Sequence, residues 1–246
     1  MPSLNRRLPV PLYHQLKDAI RRDIESGRWK PGDRLPTEDE WIGRYRVSKI
    51  TVRQALAELV HLGYIRREQG RGTFVQPPPL DEGPRELTSF SDEMRTHGLA
   101  ATSRVLEQGI VPAPSDVAGA LRIDGNAPAF RLRRLRLADG TPMGLQTAYL
   151  SMALVPGIER LSFAGDSLYH VLADRYGLYA AGARETHQAV LVTGEEAALL
   201  KVPARSPALS AERLTMQGDG QPLEYVRSIM RGDRYRIVLD LSRSHR

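Results

Sequence analysis

The 246-residue sequence contains no cysteine. A disulfide framework, a thiolate zinc site and a cysteine nucleophile are therefore excluded. The sequence also lacks an apolar run long enough to cross a bilayer, and its basic first residues are not followed by the apolar segment of a signal peptide. From these absences we expect a soluble, cytoplasmic protein that makes no contact with a membrane.

The sequence is equally poor in the patterns of catalysis. Its six histidines are not paired at metal-ligand spacing, and we interpret His97 and His187 as surface or satisfied core groups. It contains no P-loop, no Gly-x-Ser-x-Gly and no complete dinucleotide fingerprint. We therefore expect no catalytic residue, no metal site and no cofactor, in a protein that is not an enzyme.

The positive charge of the chain is unevenly placed. The whole net charge of +6 falls within residues 1–76, whereas the remaining residues contain equal numbers of acidic and basic side chains. This asymmetry favours a polyanion such as nucleic acid as the partner of the first part only. A solvated basic surface would carry the same charge, so charge alone leaves both interpretations open.

Periodicity and capping residues predict three helices in that basic part. Apolar residues recur at every fourth position between residues 11 and 26, which is typical of one helix face. Thr37 and Glu40 form a capping-box pattern that begins a second helix. Ser48 begins a third helix. Its predicted apolar stripe comprises Val52, Leu56, Leu59 and Val60.

The opposite face of the third helix carries side chains that suit base recognition. They are Lys49, Ile50, Arg53, Gln54 and Ala57. Arginine and lysine donate to guanine edges in the major groove, and glutamine pairs with adenine. Taken alone, this face would be interpreted as an ordinary solvated surface. Two capped helices followed by a basic hairpin, however, match a helix-turn-helix in which the second helix of the pair reads DNA.

The hairpin is predicted from two short strands, residues 64–67 and 73–75, around a glycine-rich turn. Arg66, Arg67 and Arg71 surround this turn. Gly70 and Gly72 would let the backbone approach a phosphate or enter the minor groove, where arginine supplies the charge.

Three prolines at 77–79 predict an extended linker over residues 77–84. Beyond it the pattern becomes one of strands and hairpins with interspersed helices, which predicts an α+β domain on a mostly antiparallel sheet. Residues 129–137 alternate apolar and basic side chains, as a half-buried strand does. The other predicted strands are 143–150, 185–191, 208–216, 223–230 and 236–241, and a helix is predicted at 167–176.

Two arginines on the strand at 129–137 are candidate ligand contacts. Arg134 and Arg136 are two residues apart, so they share one face. They could hold a phosphate or carboxylate together with the hydroxyls of Ser89 and Ser167, the latter at a predicted helix start. An internal carboxylate partner, or a solvated sheet face, would account for the pair equally well.

The stretch from Pro11 to Val75 resembles the DNA-binding domain of the GntR family. The resemblance is carried by PGDRLP (31–36), TVRQAL (51–56) and GRGTFV (70–75). It implies a winged helix-turn-helix that binds a pseudo-palindromic operator as a homodimer. Asp39 and Lys49 stand where many members have arginine. The candidate DNA-binding residues are Arg34, Thr37, Ser48, Lys49, Thr51, Arg53, Gln54, Gly70 and Arg71.

Residues from about 87 to 241 resemble the effector domain of the HutC branch of that family, known as UTRA, which has a chorismate-lyase-like fold. The pieces that carry the resemblance are LTSFS (87–91), RLRLADGTPM (134–143), DSLY (166–169) and QPLEY (221–225). Gln146 stands where related sugar-phosphate sensors usually have glutamate, and Met230 where several have tyrosine. The candidate effector-binding residues are Ser89, Phe90, Arg134, Arg136, Gln146, Ser167, Glu224 and Met230.

These observations predict residues 1–76 as a DNA-binding domain, 77–84 as a linker, and 85–246 as an effector-binding and dimerisation domain. The expected function is that of a repressor released from its operator by a small anionic metabolite, such as a phosphorylated sugar. A histidine-pathway acid or a phosphonate could replace the sugar as the effector. The sequence leaves two further functions open, those of a lyase-type enzyme and of an architectural DNA-binding protein without a ligand.

Overall fold

The computed structural model describes residues 4–6, 8–76, 80–82, 87–163 and 167–238, with residues 80–82 as backbone only. Contacts divide the chain into two units, Met1–Leu80 and Asp81–Arg246. In these described ranges, no helix is long and apolar enough to cross a membrane.

The first unit has the predicted order of three helices and a hairpin. The elements are α1 (Leu12–Glu25), α2 (Glu38–Tyr45), α3 (Lys49–His61), β1 (Ile65–Glu68) and β2 (Gly72–Val75). The predicted caps explain where two of these helices begin. The Thr37 hydroxyl accepts from the Glu40 N–H while the Glu40 carboxylate accepts from the Thr37 N–H. The Ser48 hydroxyl caps α3 by accepting from the Thr51 N–H.

The core of the first unit brings α1, α2 and α3 together around Leu16, Trp41 and Leu56. One predicted core position is wrong, because Val60 is 36% exposed and Ala55 is buried instead. Each residue turns a helix by about 100°. Val60 and Ala55 therefore lie just beyond opposite margins of the stripe that Val52, Leu56 and Leu59 define, and the core covers the Ala55 margin but not the Val60 margin.

The second unit is built on a six-stranded antiparallel sheet in the order β4-β5-β6-β9-β8-β7, which confirms the α+β class. The strands are β4 (Ala101–Pro112), β5 (Pro128–Ala138), β6 (Thr141–Ser151), β7 (Gly182–Leu191), β8 (Pro207–Met216) and β9 (Pro222–Arg231). The helices are α4 (Phe90–Thr96), α5 (Ser115–Leu121), α6 (Leu168–Tyr176) and α7 (Gly194–Leu200), with a 3-10 turn at Ile158–Arg160.

A separate two-stranded sheet pairs β3 (Leu80–Glu82) with β10 (Tyr235–Ile237). The described part of the predicted linker is therefore a strand rather than an unpaired spacer. Residues 77–79 and 83–84 lie outside the described residues, as do Asp166 and residues 239–241 of the predicted last strand.

Both faces of the sheet are covered by helices. Phe130 and Leu132 of β5 pack in one cluster with Leu168 and Leu172 of α6. On the opposite face, Ala129 packs with Val117 of α5, and Leu135 packs with Leu200 of α7. The strand expected at 129–137 is present as β5, but the expectation that only one of its faces is buried is wrong. The reason is that α5 and α7, which the sequence pattern did not predict, cover the second face.

Candidate functional site

The exposed face of α3 is the first candidate site. Lys49, Ile50, Arg53, Gln54 and Ala57 are all exposed, as the helical periodicity predicts. The face combines two cations, an amide and an apolar side chain within two helical turns. These groups can donate to guanine, pair with adenine and contact a thymine methyl group, respectively.

The start of α3 adds hydroxyl and backbone donors to that face. Ser48 accepts from the Thr51 N–H at 3.2 Å, and the two hydroxyl oxygens lie 2.9 Å apart. The first N–H groups of a helix and its dipole favour an anion such as a phosphate. Thr37 occupies the corresponding position before α2, where its hydroxyl is engaged with Glu40.

The hairpin forms an exposed basic wing. The Arg71 side chain is 76% exposed and pairs with Glu68 at 2.7 Å. Gly70 has a φ of +73°, a conformation that strongly favours glycine. A Cβ at Gly72 would come within 2.8 Å of the Arg34 Nε, so Arg34 packs directly against the wing. The wing thus presents two arginines beside a backbone with little steric bulk.

A carboxylate that the sequence pattern did not single out also lies on this surface. Glu38 accepts from the Arg53 Nε at 3.1 Å and from an Arg67 terminal nitrogen at 3.4 Å. It therefore joins the first turn of α2 to both α3 and β1. These contacts span 15 and 29 residues along the chain, so no local sequence signal indicates them.

The second candidate site is a cavity of about 30 Å³ in the second unit. Its lining brings together seven of the eight predicted effector-binding residues. The lining comprises Thr88, Ser89, Phe90, Arg134, Arg136, Gln146, Ser167, Leu168, Tyr169, Arg213, Glu224 and Val226. Thr88, Leu168, Tyr169, Arg213 and Val226 were not predicted as site residues.

Strand register explains why these polar groups meet. Arg134 on β5 lies opposite Gln146 on β6. Glu224 on β9 lies opposite Thr215 on β8, and the Thr215 hydroxyl is 3.2 Å from that of Tyr169 on α6. Ser89 and Ser167 immediately precede α4 and α6, so two helix starts face the sheet at this place.

The cavity holds more cationic than anionic charge. Arg134 and Arg136 are each 3% exposed. Burial lowers the pKa of Arg134 to about 10, and the Glu224 charge opposes this shift. Burial also lowers the pKa of Arg136, and the nearby Arg134 adds to that effect. A pKa of about 10 still leaves Arg134 protonated at neutral pH, so Arg134 presents positive charge in a poorly solvated place.

Glu224 is the internal carboxylate that the sequence left open as an alternative partner. Burial raises the pKa of the Glu224 carboxyl, and the charges of Arg213, Arg134 and Arg136 act in the opposite direction. Arg213 also pairs with Glu185 at 3.3 Å. Glu224 thus interacts with both Arg134 and Arg136, and the charge of Glu93 also acts on Arg136.

The Arg136 Nε and the Ser167 hydroxyl in the lining are buried without hydrogen-bond partners among the described residues. The Arg136 guanidinium donates instead from a terminal nitrogen to Ser103 at 2.8 Å, and its carbon lies 4.5 Å from the centre of the Phe90 ring. Buried polar groups in proteins are normally paired, so both atoms are suited to an incoming acceptor or donor.

Two predicted residues are arranged differently. The Ser89 hydroxyl donates to Asp92 at 2.6 Å and caps α4, which lowers the pKa of the Asp92 carboxyl. Met230 does not line the cavity. Its sulfur packs over Gly144, in the cross-strand row that also contains Arg136. In the described part of the chain, no three His, Asp or Glu side chains are placed to share a metal ion.

Comparisons with known proteins agree with both units. A family model described as "Bacterial regulatory proteins, gntR family" matches residues 12–75, and a model of the UTRA domain matches residues 96–236. The mannosyl-D-glycerate transport/metabolism system repressor MngR of Escherichia coli is 30% identical over 93% of this chain and 95% of its own length. The chain belongs to the GntR family.

Two further similarities extend this result. The histidine utilization repressor of Pseudomonas putida is 29% identical over 93% of this chain and 91% of its own length. The crystal structure of PhnF from Mycobacterium smegmatis is 29% identical, with a TM-score of 0.66, and the match covers 93% of this chain and 99% of that chain. The order of a GntR domain followed by a UTRA domain is that of the HutC type.

This GntR-family protein is therefore a ligand-responsive transcriptional regulator that binds DNA, and it is not an enzyme. The departures expected from the sequence resemblance fall at both candidate sites. Asp39 and Lys49 lie at the exposed starts of α2 and α3, and Gln146 lies in the cavity wall. The effector itself is not determined by these similarities, since the relatives regulate chemically different systems.

Proposed function

We propose that the protein binds a pseudo-palindromic operator as a homodimer, represses the adjacent genes, and releases the DNA when a small anionic metabolite occupies the cavity. One reading helix covers a single half-site, so two copies are needed for a palindrome. The candidate DNA contacts are the exposed residues of α3, its capping hydroxyls and the basic wing.

The observation that carries the effector proposal is the buried arginine pair. The unpartnered Arg136 Nε and Ser167 hydroxyl support an acceptor-rich group between β5 and the start of α6. A phosphate or carboxylate fits this need, since charge-assisted hydrogen bonds from arginine are short and strong. Gln146, opposite Arg134 in the sheet, is then available for a hydroxyl group of the same ligand, which favours a phosphorylated sugar.

A histidine-pathway acid or a phosphonate is the second candidate. Either would place its anionic group on the same arginines, and the similarity to the histidine utilization repressor favours the former. The two classes differ in hydroxyl content. A sugar offers hydroxyl groups for the Gln146 side chain to bind, whereas a ligand with few hydroxyls does not.

The cavity is too small for either ligand as it stands. A volume of about 30 Å³ holds one or two water molecules. Phe90 lies over Arg136, with its ring centre 4.5 Å from the guanidinium carbon. Displacement of Phe90, the first residue of α4, would enlarge the site beside the arginine.

A thermal-shift screen tests the proposal, because a ligand that binds the folded protein raises its melting temperature. Phosphorylated sugars, phosphonates and histidine-pathway acids should be compared at equal concentration. At least one anionic class should raise the melting temperature, and the same compound should release the protein from DNA. A compound that stabilises the protein without releasing DNA would contradict the regulatory part of the proposal.

A further inference from the structure

Glu38 lies where the three DNA-facing elements of the first unit meet. It is the first residue of α2, yet each of its carboxylate oxygens accepts from an arginine of another element. One oxygen is 3.1 Å from the Arg53 Nε on α3, and the other is 3.4 Å from a terminal nitrogen of Arg67 on β1. A single carboxylate thus links the reading helix to the wing.

A negative charge on a surface that binds DNA lowers the affinity, because it repels the phosphates. The neighbouring Asp39 is an acidic residue that lacks such arginine contacts. It is exposed and has no ion-pair or hydrogen-bond partner in the described part of the chain. Glu38 is only partly exposed and is fixed by two guanidinium groups. The two residues therefore provide a comparison between equal charges in different surroundings.

The hydrogen bond to the Arg53 Nε has a consequence for base recognition. A guanidinium group has five N–H donors, and Glu38 engages the one on Nε. The two terminal nitrogens remain at the outer end of the side chain, in the geometry that pairs with the O6 and N7 of guanine. Holding Arg53 in one orientation also reduces the rotamer freedom that a long side chain loses on binding.

We propose that Glu38 is a positioning residue that orients Arg53 toward a guanine edge and ties the wing to the reading helix, and that it thereby sets base selectivity. The inference rests on DNA binding by α3. Glu38 itself contacts no base. Its effect passes through Arg53, and through Arg67 for the wing.

The test uses the full-length protein and a duplex that the wild type selects from a random-sequence pool. Dissociation constants are measured at one salt concentration for this duplex and for a panel with single base-pair substitutions. The Arg53→Ala variant identifies the position that Arg53 reads, as the position at which discrimination is lost. Glu38→Gln is the test variant, and Asp39→Asn is the matched control for removing one acidic charge.

Asp39→Asn should strengthen binding to every duplex by a similar factor and leave discrimination unchanged. Glu38→Gln should also strengthen non-specific binding. In addition it should reduce discrimination at the Arg53 position about tenfold, which is within the range that a bidentate arginine–guanine pair provides. In the Arg53→Ala background, Glu38→Gln should have no further effect on discrimination.

Glu38→Asp separates the effect of the charge from the effect of side-chain length. Aspartate keeps the carboxylate and is also favoured at a helix start, but its side chain is shorter by one methylene. The variant should lose discrimination without gaining affinity, and it serves as the test if Glu38→Gln does not fold. The inference is overturned if Glu38→Gln, or failing that Glu38→Asp, leaves discrimination at the Arg53 position unchanged. Failure of the wild type to select any duplex would instead contradict DNA binding itself.

Discussion

Arginine serves both units of this protein, under opposite conditions. Arg53 and Arg71 have side chains that are 63% and 76% exposed, and each is held by a carboxylate at the surface. Arg134 and Arg136 are almost completely buried, and both interact with the buried carboxylate of Glu224. Exposed arginines act through water and are screened by salt, whereas buried ones keep most of their interaction energy. The first arrangement suits a long polyanion, and the second suits one small anion.

The largest expected effect is on the buried pair. Arg134→Ala/Arg136→Ala should lower inducer affinity about a hundredfold or more, because each charge-assisted hydrogen bond contributes roughly 1.5–3 kcal/mol. Operator binding should be retained, since neither residue belongs to the DNA-facing surface. The measurement is operator release as a function of inducer concentration.

Arg104→Ala/Arg160→Ala is the matched control, because it removes two exposed arginines from the same unit. It should leave the inducer response unchanged. If the Arg134/Arg136 variant released DNA at the same inducer concentration as this control, the anion would bind elsewhere. If it lost DNA binding as well, the pair would serve the fold rather than the ligand.

The exposed reading helix should give the next effect in size. Arg53→Ala should cost about 1–3 kcal/mol of operator binding and relax specificity at one base pair. A gel-shift titration of the folded variant measures this. Gln54→Ala on the same exposed face is a useful comparison, since it should relax specificity at a different position. A folded Arg53→Ala protein with full operator affinity would remove Arg53 from the DNA contacts.

The smallest expected effect is at the wing. Arg71→Ala should weaken binding to all sequences alike and reduce the slope of log affinity against log salt by about 1, because one phosphate contact is lost. Affinity measured at several salt concentrations provides that slope. An unaltered slope would mean that the wing does not approach the backbone of the duplex. The same change should leave inducer affinity at constant salt unaffected.

The reading helix could be predicted from the sequence because its determinants are local. The caps at Thr37 and Ser48 act over three residues, and the apolar stripe of α3 repeats within one helix. The error in the apolar stripe of α3 concerned Val60, at the margin of the stripe. The Glu38 contacts were missed because they join residues of three elements, and their geometry follows from how these elements pack.

The residues that line the cavity could be predicted only in part, because some of them meet only through the order of strands in the sheet. A two-residue period places Arg134 and Arg136 on one face of any strand. Arg213 reaches the same cavity because β9 and then β8 follow β6 in the sheet, although 55 residues separate the end of β6 from the start of β8 in sequence. Such an order is not encoded locally. Met230 differs from Arg213 in the opposite way. The resemblance indicated Met230 as an effector contact, but its side chain packs over Gly144 outside the cavity lining.

The position of Phe90 over Arg136 has a consequence for timing. A site that must open before it can be filled captures its ligand more slowly than a preformed one, because only a fraction of encounters find it open. The association rate constant of the effector should then depend on how often the ring swings away, and not on diffusion alone. Once filled, the same ring can close behind the anion and prolong its residence. The regulator would thereby average over brief fluctuations in metabolite concentration and respond to sustained ones.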